Sequence, residues 1–310
     1  MKINTFTMAL AGLFLASCSS QVMKNSLNYP ETKKVEHTDE YFGTIVADPY
    51  RWLEDDRAED TKDWVQREVA FTQNYLNQIP FREEIRAQLK NIWNYEKISA
   101  PFKEGDYTYF YKNDGLQAQS VLYRTDKNGN TEVFLDPNKF SEKGTTSMSG
   151  LSFNKKGTLA AYNISEGGSD WQKIVIINAI TKEKIDETIT DVKFSGASWL
   201  GDEGFFYSTY GKVQGSELSA KTDMHKVYFH KLGTKQSEDK HIIGDENFKR
   251  RYMNIGVSDD ERFLILNASI ATNGNELYVK DLKNNTDWIA IQKGFDYNTN
   301  ADFEYAYVIY

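Results

Sequence analysis

Few residues in this sequence have the types and spacing that covalent or metal chemistry requires. A serine nucleophile on a strand-to-helix elbow needs Gly-x-Ser-x-Gly, and the nearest approach, Gly167-Gly168-Ser169-Asp170-Trp171, ends in Trp instead. The sequence contains no Gly-rich phosphate loop, no His-x-x-x-His pair and no calcium-loop spacing of carboxylates. It therefore predicts no catalytic residue, no metal site and no cofactor within these 310 residues.

Histidine is the usual acid–base side chain near neutral pH, and the chain has only four. His37 falls in the N-terminal segment, whereas His225, His230 and His241 fall in predicted strands and turns. We expect all four to have surface or packing roles.

Cys18 is the only cysteine in the sequence, so no disulfide can form within the chain. It follows Leu-Ala-Ser at 15–17, after an apolar run at 6–15 that is too short to span a bilayer. This pattern is typical of a bacterial lipoprotein signal, in which residues 1–17 are removed and Cys18 is acylated. The alternative is an ordinary secretory signal peptide, with Cys18 incidental.

A lipid on Cys18 predicts a protein attached to a membrane of the cell envelope, in the periplasm or at the outer membrane. Residues 18–28 are mostly polar and are expected to form a tether. The net charge of −8 argues against a nucleic-acid partner, because phosphate binding needs a dense Lys and Arg surface.

Residues 29–95 have a helical pattern. One predicted helix has its N-cap at Asp60 or Thr61, and Pro80 opens a second. The apolar positions of both recur at helical spacing, which indicates two amphipathic helices with a hydrophobic face to cover. These positions are Trp64, Val65, Val69, Tyr75 and Leu76, then Phe81, Ile85, Leu89, Ile92 and Trp93.

From residue 96 to 310 the pattern changes to short strands separated by Gly, Asn and Asp turns. Strands at 107–111, 158–162, 204–207 and 262–266 each follow a polar turn. A later apolar strand in each unit is centred on Tyr123, Val175, Tyr228 or Tyr278, and these anchors lie 52, 53 and 50 residues apart. A period near 50 with about four strands per unit favours a β-propeller over a single large sandwich.

The predicted fold class is mainly β, with about four blades of an incomplete propeller after a short helical segment. The last unit is unfinished at Tyr310, and we expect an interrupted chain with an unpaired sheet edge.

Several separated runs give the sequence a family resemblance. It resembles the prolyl oligopeptidase family of serine peptidases from about Tyr29 to Asp281. The runs are Asp48-Pro49-Tyr50-Arg51-Trp52-Leu53-Glu54-Asp55, then 167–171, 192–196 with Trp199, 204–207 and 225–234.

The resemblance implies an α/β-hydrolase domain joined to a seven-bladed propeller that admits only short peptides, which are cut after proline. It implies that 29–95 packs on the hydrolase domain, and that Phe194 and, at a more variable position, Met253 contribute to the substrate pocket. Considered without the resemblance, both could be core residues, and for Met253 the core role is favoured. An arginine that reaches substrate in some relatives is replaced here near Ser269.

Two functions follow as hypotheses. The first is the N-terminal, propeller-bearing portion of a lipid-anchored prolyl oligopeptidase, inactive alone because the family's Ser, His and Asp are not in this chain. A second polypeptide with the hydrolase domain is its possible partner, and short proline-containing peptides are its substrates. The second is a non-catalytic propeller that binds peptides or other ligands as a lipoprotein.

Overall fold

The computed structural model describes residues 27–211, 222–304 and 307–309, with backbone only for 302–304 and 307–309. The predicted signal, Cys18 and most of the tether lie outside these residues. None of the helices in this part of the chain is long and apolar enough to cross a membrane.

The chain begins with a hairpin of β1 (Thr38–Tyr41) and β2 (Thr44–Ala47), followed by a 3-10 turn at Arg51–Glu54. Arg51 holds these pieces together. Its guanidinium contacts Asp39 on β1, donates to Glu54 at 2.5 Å and lies 3.2 Å from Asp48. One cation therefore ties the hairpin to the turn that follows it, because a guanidinium has enough donors for several carboxylates.

Two helices follow, α1 (Glu59–Asn77) and α2 (Arg82–Trp93), as the apolar spacing predicts. The predicted N-cap of α1 is wrong, because the helix already begins at Glu59 with Ala58 as N-cap. Glu59 and Asp60 lie in the first turn, where the helix dipole favours carboxylates. Thr61 lies inside the helix and its hydroxyl donates to the Trp52 carbonyl at 3.3 Å.

Four antiparallel blades account for residues 97–292, and the predicted fold class is confirmed. Blade I contains β3 (Lys97–Ile98), β4 (Phe102–Glu104), β5 (Tyr107–Asn113), β6 (Val121–Thr125) and β7 (Thr131–Leu135). Blade II contains β8 (Thr146–Phe153), β9 (Leu159–Glu166), β10 (Trp171–Asn178) and β11 (Ile189–Lys193). Blade III contains β12 (Ser198–Leu200), β13 (Gly204–Thr209), β14 (Lys226–Lys231) and β15 (Lys240–Ile243). Blade IV contains β16 (Tyr252–Val257), β17 (Phe263–Ser269), β18 (Glu276–Asp281) and β19 (Ile289–Gln292).

A last hairpin pairs β20 (Asp302–Glu304) with β21 (Tyr307–Ile309). The four sequence anchors fall on the last strand but one of each blade, namely β6, β10, β14 and β18. Blades II and III share a single strand contact, Val192 opposite Thr209, which joins them into one eight-stranded sheet. Within the described residues the blades form an open series rather than a closed barrel.

Three hydrophobic cores lie between successive blades. Tyr109 and Leu122 of blade I pack with Tyr162 of blade II. The core between blades II and III includes Ile174, Trp199 and Phe205, and the core between blades III and IV includes Phe206, Val227, Met253 and Leu266. Each blade thus buries an apolar face against the neighbouring blade.

The β4–β5 turn of blade I and the β8–β9 turn of blade II touch through their backbones. Gly157 follows β8 with φ +67, and a Cβ built on it would lie 2.3 Å from the Gly105 nitrogen and 2.6 Å from the Gly105 Cα. Gly129, in the turn between β6 and β7, has φ +86 but nothing within 4 Å of such a Cβ. Both glycines adopt the left-handed backbone conformation, but only at Gly157 is there also no room for a Cβ atom.

We predict that Gly157→Ala destabilises the chain more than Gly129→Ala. Gly129→Ala should cost about 1 kcal/mol for backbone strain alone. Gly157→Ala should cost about 2 kcal/mol more, because two backbones must separate. Urea unfolding followed by tryptophan fluorescence measures both, and equal losses for the two variants would contradict this account of the blade contact.

Candidate functional site

Phe194 lies directly after β11, the last strand of blade II. Its φ is +54, a left-handed conformation that is uncommon for a residue other than Gly, and Asp191 three residues earlier has φ +57. Between them Val192 is fully buried and pairs with blade III. The strained backbone turns the Phe194 ring outward, where 46% of the residue is exposed.

An aromatic surface surrounds Phe194. The Tyr252 ring, at the start of blade IV, meets it edge-on with centroids 5.4 Å apart and an interplanar angle of 76°. The Lys193 ammonium lies 5.2 Å from the centroids of both Phe194 and Trp171. Asp170 lies 3.8 Å from the same ammonium. The surface thus combines exposed aromatic rings with one cation, a composition suited to apolar and amide groups of a peptide.

Met253, the second residue expected in the pocket, is only 1% exposed and packs in the core between blades III and IV. The structure therefore does not bring its side chain to the surface that carries Phe194. Its neighbour Tyr252 is 43% exposed, because successive residues of a strand point to opposite faces. Ser269, near which the family resemblance implies a replaced arginine, lies opposite Tyr252 in the β16–β17 register.

His225 is buried beneath this surface at 1% exposure. Its Nδ1 accepts a hydrogen bond of 2.9 Å from the Met253 backbone N–H. The proton therefore belongs on Nε2, which donates to the Lys193 carbonyl at 2.9 Å. The ring also stacks on Tyr210, with centroids 4.4 Å apart. His225 directly precedes β14 of blade III, and its two hydrogen bonds reach Lys193 of blade II and Met253 of blade IV.

Burial lowers the pKa of His225 to about 4, and its hydrogen bond to the Lys193 carbonyl opposes this only in part. Burial also raises the pKa of the stacked Tyr210 to about 12, so that side chain is neutral too. His225 is consequently a neutral, structural histidine at physiological pH and not a general base for chemistry at this surface.

His230 forms a second buried polar cluster. Its Nδ1 lies 2.8 Å from Asp239 and its Nε2 lies 3.4 Å from Asp186, two carboxylates with side-chain exposures of 2% and 7%. The Tyr207 hydroxyl donates to Asp239 at 2.8 Å. Burial acts to lower the pKa of His230, but the hydrogen bond and charge of Asp239, together with Asp186, outweigh it and raise that pKa.

The remaining residues considered for chemistry have ordinary contacts. The Ser169 hydroxyl accepts from the Trp171 N–H at 3.1 Å, a turn contact before β10. His37 lies 3.3 Å from Asp39, and the His241 ring packs edge-on against Tyr228. Across residues 27–211 and 222–301, no group of three or more His, Cys, Asp or Glu side chains has the arrangement of a metal site.

Sequence reasoning identified Phe194 only through the resemblance and did not single out Tyr252 or the bridging role of His225. The alternation of β16 could have predicted that Tyr252 is exposed, because Met253 and Ile255 of the same strand are buried. His225 has no comparable signal, because its two partners lie 32 and 28 residues away in sequence.

We predict that His225 makes the stability of the chain fall in acid. The folded-state pKa lies below the unfolded value near 6.5, so the stabilisation is complete above pH 6.5 and is lost as the pH falls towards 4. A shift of this size corresponds to about 3 kcal/mol. Between pH 7 and pH 4 the wild-type chain should therefore lose about 3 kcal/mol more unfolding free energy than His225→Gln, because glutamine does not titrate. Equal losses in the two proteins would refute the prediction.

Comparisons with known proteins agree with this architecture. Residues 30–306 match the family described as prolyl oligopeptidase, N-terminal beta-propeller domain. The chain is 69% identical over 302 residues to the prolyl endopeptidase of Elizabethkingia meningoseptica, covering 97% of this chain and 43% of that protein. Prolyl oligopeptidase A of Amanita bisporigera is 31% identical, with 89% of this chain and 41% of that protein covered. The chain thus spans less than half the length of these curated relatives.

Solved structures give the same result. Prolyl oligopeptidase B from Galerina marginata, bound to a 25mer macrocyclization substrate, superposes with a TM-score of 0.71 at 27% identity, over 89% of this chain and 42% of that one. Oligopeptidase B from Leishmania major shares the fold with a TM-score of 0.72 at 17% identity, over 90% of this chain and 41% of that one. Because the match extends over nearly the whole chain and through all four blades, this protein belongs to the prolyl oligopeptidase family, to whose N-terminal propeller part its residues correspond.

Proposed function

We propose that this chain is the N-terminal, propeller-bearing part of a prolyl oligopeptidase-like serine endopeptidase that acts on short proline-containing peptides. The observation that carries the proposal is the 69% identity to a prolyl endopeptidase over 97% of this chain. At that identity the aromatic and buried polar residues of the blades are expected to serve the same purpose in both proteins.

The helical segment supports a partner domain. The apolar residues of α1 and α2 are exposed, among them Val69 at 53%, Leu89 at 51% and Ile92 at 65%. No residue of α2 is buried, although the three cores between the blades are closed. Exposed apolar faces of this extent indicate a surface that another polypeptide covers. We propose that it is the hydrolase domain, since the relatives are more than twice as long as the part matched here.

Peptide cleavage needs a nucleophile, a base, an orienting acid and an oxyanion hole. The sequence of this chain lacks the nucleophile elbow, so we propose that the 310 residues alone do not hydrolyse peptides. In the complete enzyme the serine hydroxyl would attack the carbonyl carbon of the proline residue and expel the amine of the next residue. Water would then hydrolyse the resulting acyl-enzyme and free the serine. The blades would contribute binding through Phe194, whose exposed ring suits the apolar ring of proline.

We also propose that Cys18 carries a lipid and holds the protein at a membrane of the cell envelope. The support is the lone cysteine directly after Leu-Ala-Ser at 15–17. A single acyl chain binds membranes only weakly, so stable attachment requires a second membrane signal, such as a further acyl chain.

Complementation tests the peptidase proposal. The chain should not cleave a chromogenic peptide with proline before the scissile bond, but co-expression with the C-terminal part of the Elizabethkingia meningoseptica relative should restore cleavage. Leu89→Asp, which places a charge in the covered face, should reduce the restored activity at least tenfold. Gln88→Asp is the matched control and should leave it within twofold.

Two results would count against this proposal. One is peptide cleavage by the chain alone after removal of host peptidases. The other is restored activity that Leu89→Asp and Gln88→Asp affect equally, which would place the partner elsewhere on the chain.

Metabolic labelling tests the lipid proposal. In a Gram-negative host grown with an alkyne fatty acid, the chain should take up label and sediment with membranes. Cys18→Ser should abolish the label, whereas Ser20→Ala should retain it. Label that persists in Cys18→Ser, or an unlabelled wild-type chain in the soluble periplasm, would show that Cys18 is not acylated.

A further inference from the structure

The two exposed rings of Phe194 and Tyr252 come from distant parts of the chain. Phe194 follows the last strand of blade II, and Tyr252 begins the first strand of blade IV. Their centroids are nevertheless 5.4 Å apart, in the edge-on geometry that aromatic pairs prefer. Blade III lies between the two strands in sequence. The close contact of the two rings therefore requires an interaction that joins blade II to blade IV.

His225 supplies the connection. Its Nε2 donates to the carbonyl of Lys193, the residue before Phe194, and its Nδ1 accepts from the N–H of Met253, the residue after Tyr252. Both hydrogen bonds are 2.9 Å long and the imidazole is 1% exposed, so water does not compete for them. One rigid ring therefore sets the spacing of the two backbone segments that present the aromatic side chains.

The left-handed backbone of Phe194 needs stabilising contacts of this kind. Its φ of +54 persists only where surrounding contacts over-determine the conformation. The His225 bond fixes the carbonyl just before Phe194, and the Ser195 hydroxyl just after it accepts from the Ser208 N–H at 2.7 Å. The turn is thus anchored on both sides to blade III.

Tyr252 rather than Met253 faces the same side as Phe194. Tyr252 is 43% exposed, whereas Met253 is 1% exposed and belongs to the core between blades III and IV. Of these two side chains, therefore, only Tyr252 is accessible beside the Phe194 ring.

We propose that Tyr252 joins Phe194 in contacting the peptide, and that His225 is the residue that positions the pair. The proposal rests on the proposed function, because it takes a proline-containing peptide as the ligand. Tyr252 acts as a second contact for the peptide, and His225 acts through the backbone without touching the peptide.

The test uses the full chain with isotope-labelled Phe and Tyr rings and the blocked dipeptide N-acetyl-Gly-Pro-amide as the probe. The nuclear Overhauser contact between the Phe194 and Tyr252 rings reports the positioning, independently of any ligand. The dipeptide should shift both ring signals in the wild-type chain. Tyr252→Ala should weaken binding about tenfold, and Tyr297→Ala, which removes an equally large and more exposed ring, should change it less than twofold.

His225→Leu removes both hydrogen bonds at similar bulk, and it should lose the ring contact and weaken dipeptide binding about tenfold. His225→Gln offers one donor and one acceptor and should restore both readouts. If His225→Leu gives no dispersed spectrum, His225→Asn takes its place, since its shorter side chain keeps only one of the two bonds.

The possible failures are distinguishable. A ring contact that survives in His225→Leu overturns the positioning role. Equal binding by Tyr252→Ala and Tyr297→Ala overturns the contact through Tyr252. A wild-type chain whose ring signals do not respond to the dipeptide contradicts the proposed peptide contact itself, whereas the ring contact in the His225 variants still decides the positioning role.

Discussion

The structure depends on the packing of each four-stranded blade against the next. A strand pair has two faces, and an isolated small sheet cannot bury either of them. Here the facing residues of successive blades, such as Phe206 and Leu266, close three separate cores. The 50-residue period of the sequence is a direct consequence, because each unit must supply one face to the blade before it and one to the blade after it.

Buried polar groups then fix how the blades meet. Arg124 of blade I is 3% exposed and donates to the carbonyls of Ala179 and Ile180 in blade II. His230 bonds to Asp239 within blade III and lies near Asp186, which follows β10 of blade II. Hydrophobic packing alone tolerates some sliding between sheets, but such bonds do not, since a displaced partner leaves a buried charge or dipole unsatisfied. His225 extends the same device to blade IV.

The N-terminal segment follows a different rule. Its hairpin, turn and helices satisfy their backbone groups locally, and Arg51 joins the hairpin to the turn. The side chains of α2 nevertheless have almost no cover from the rest of the described chain. The contrast with the closed cores of the blades is the physical reason for proposing that another domain covers this segment.

The sequence alone determined the element types, the blade period and the family. Strand alternation and helical spacing are local, so Val175 and Leu89 could be placed on a strand and a helix without knowledge of the fold. It did not determine the start of α1, because several acidic residues nearby could occupy the first turn. Only the tertiary structure decided that Met253 is buried while Tyr252 is exposed beside Phe194, and that His225 joins them. These contacts join residues about 30 positions apart that belong to three different blades, and no short-range sequence pattern predicts contacts of that kind.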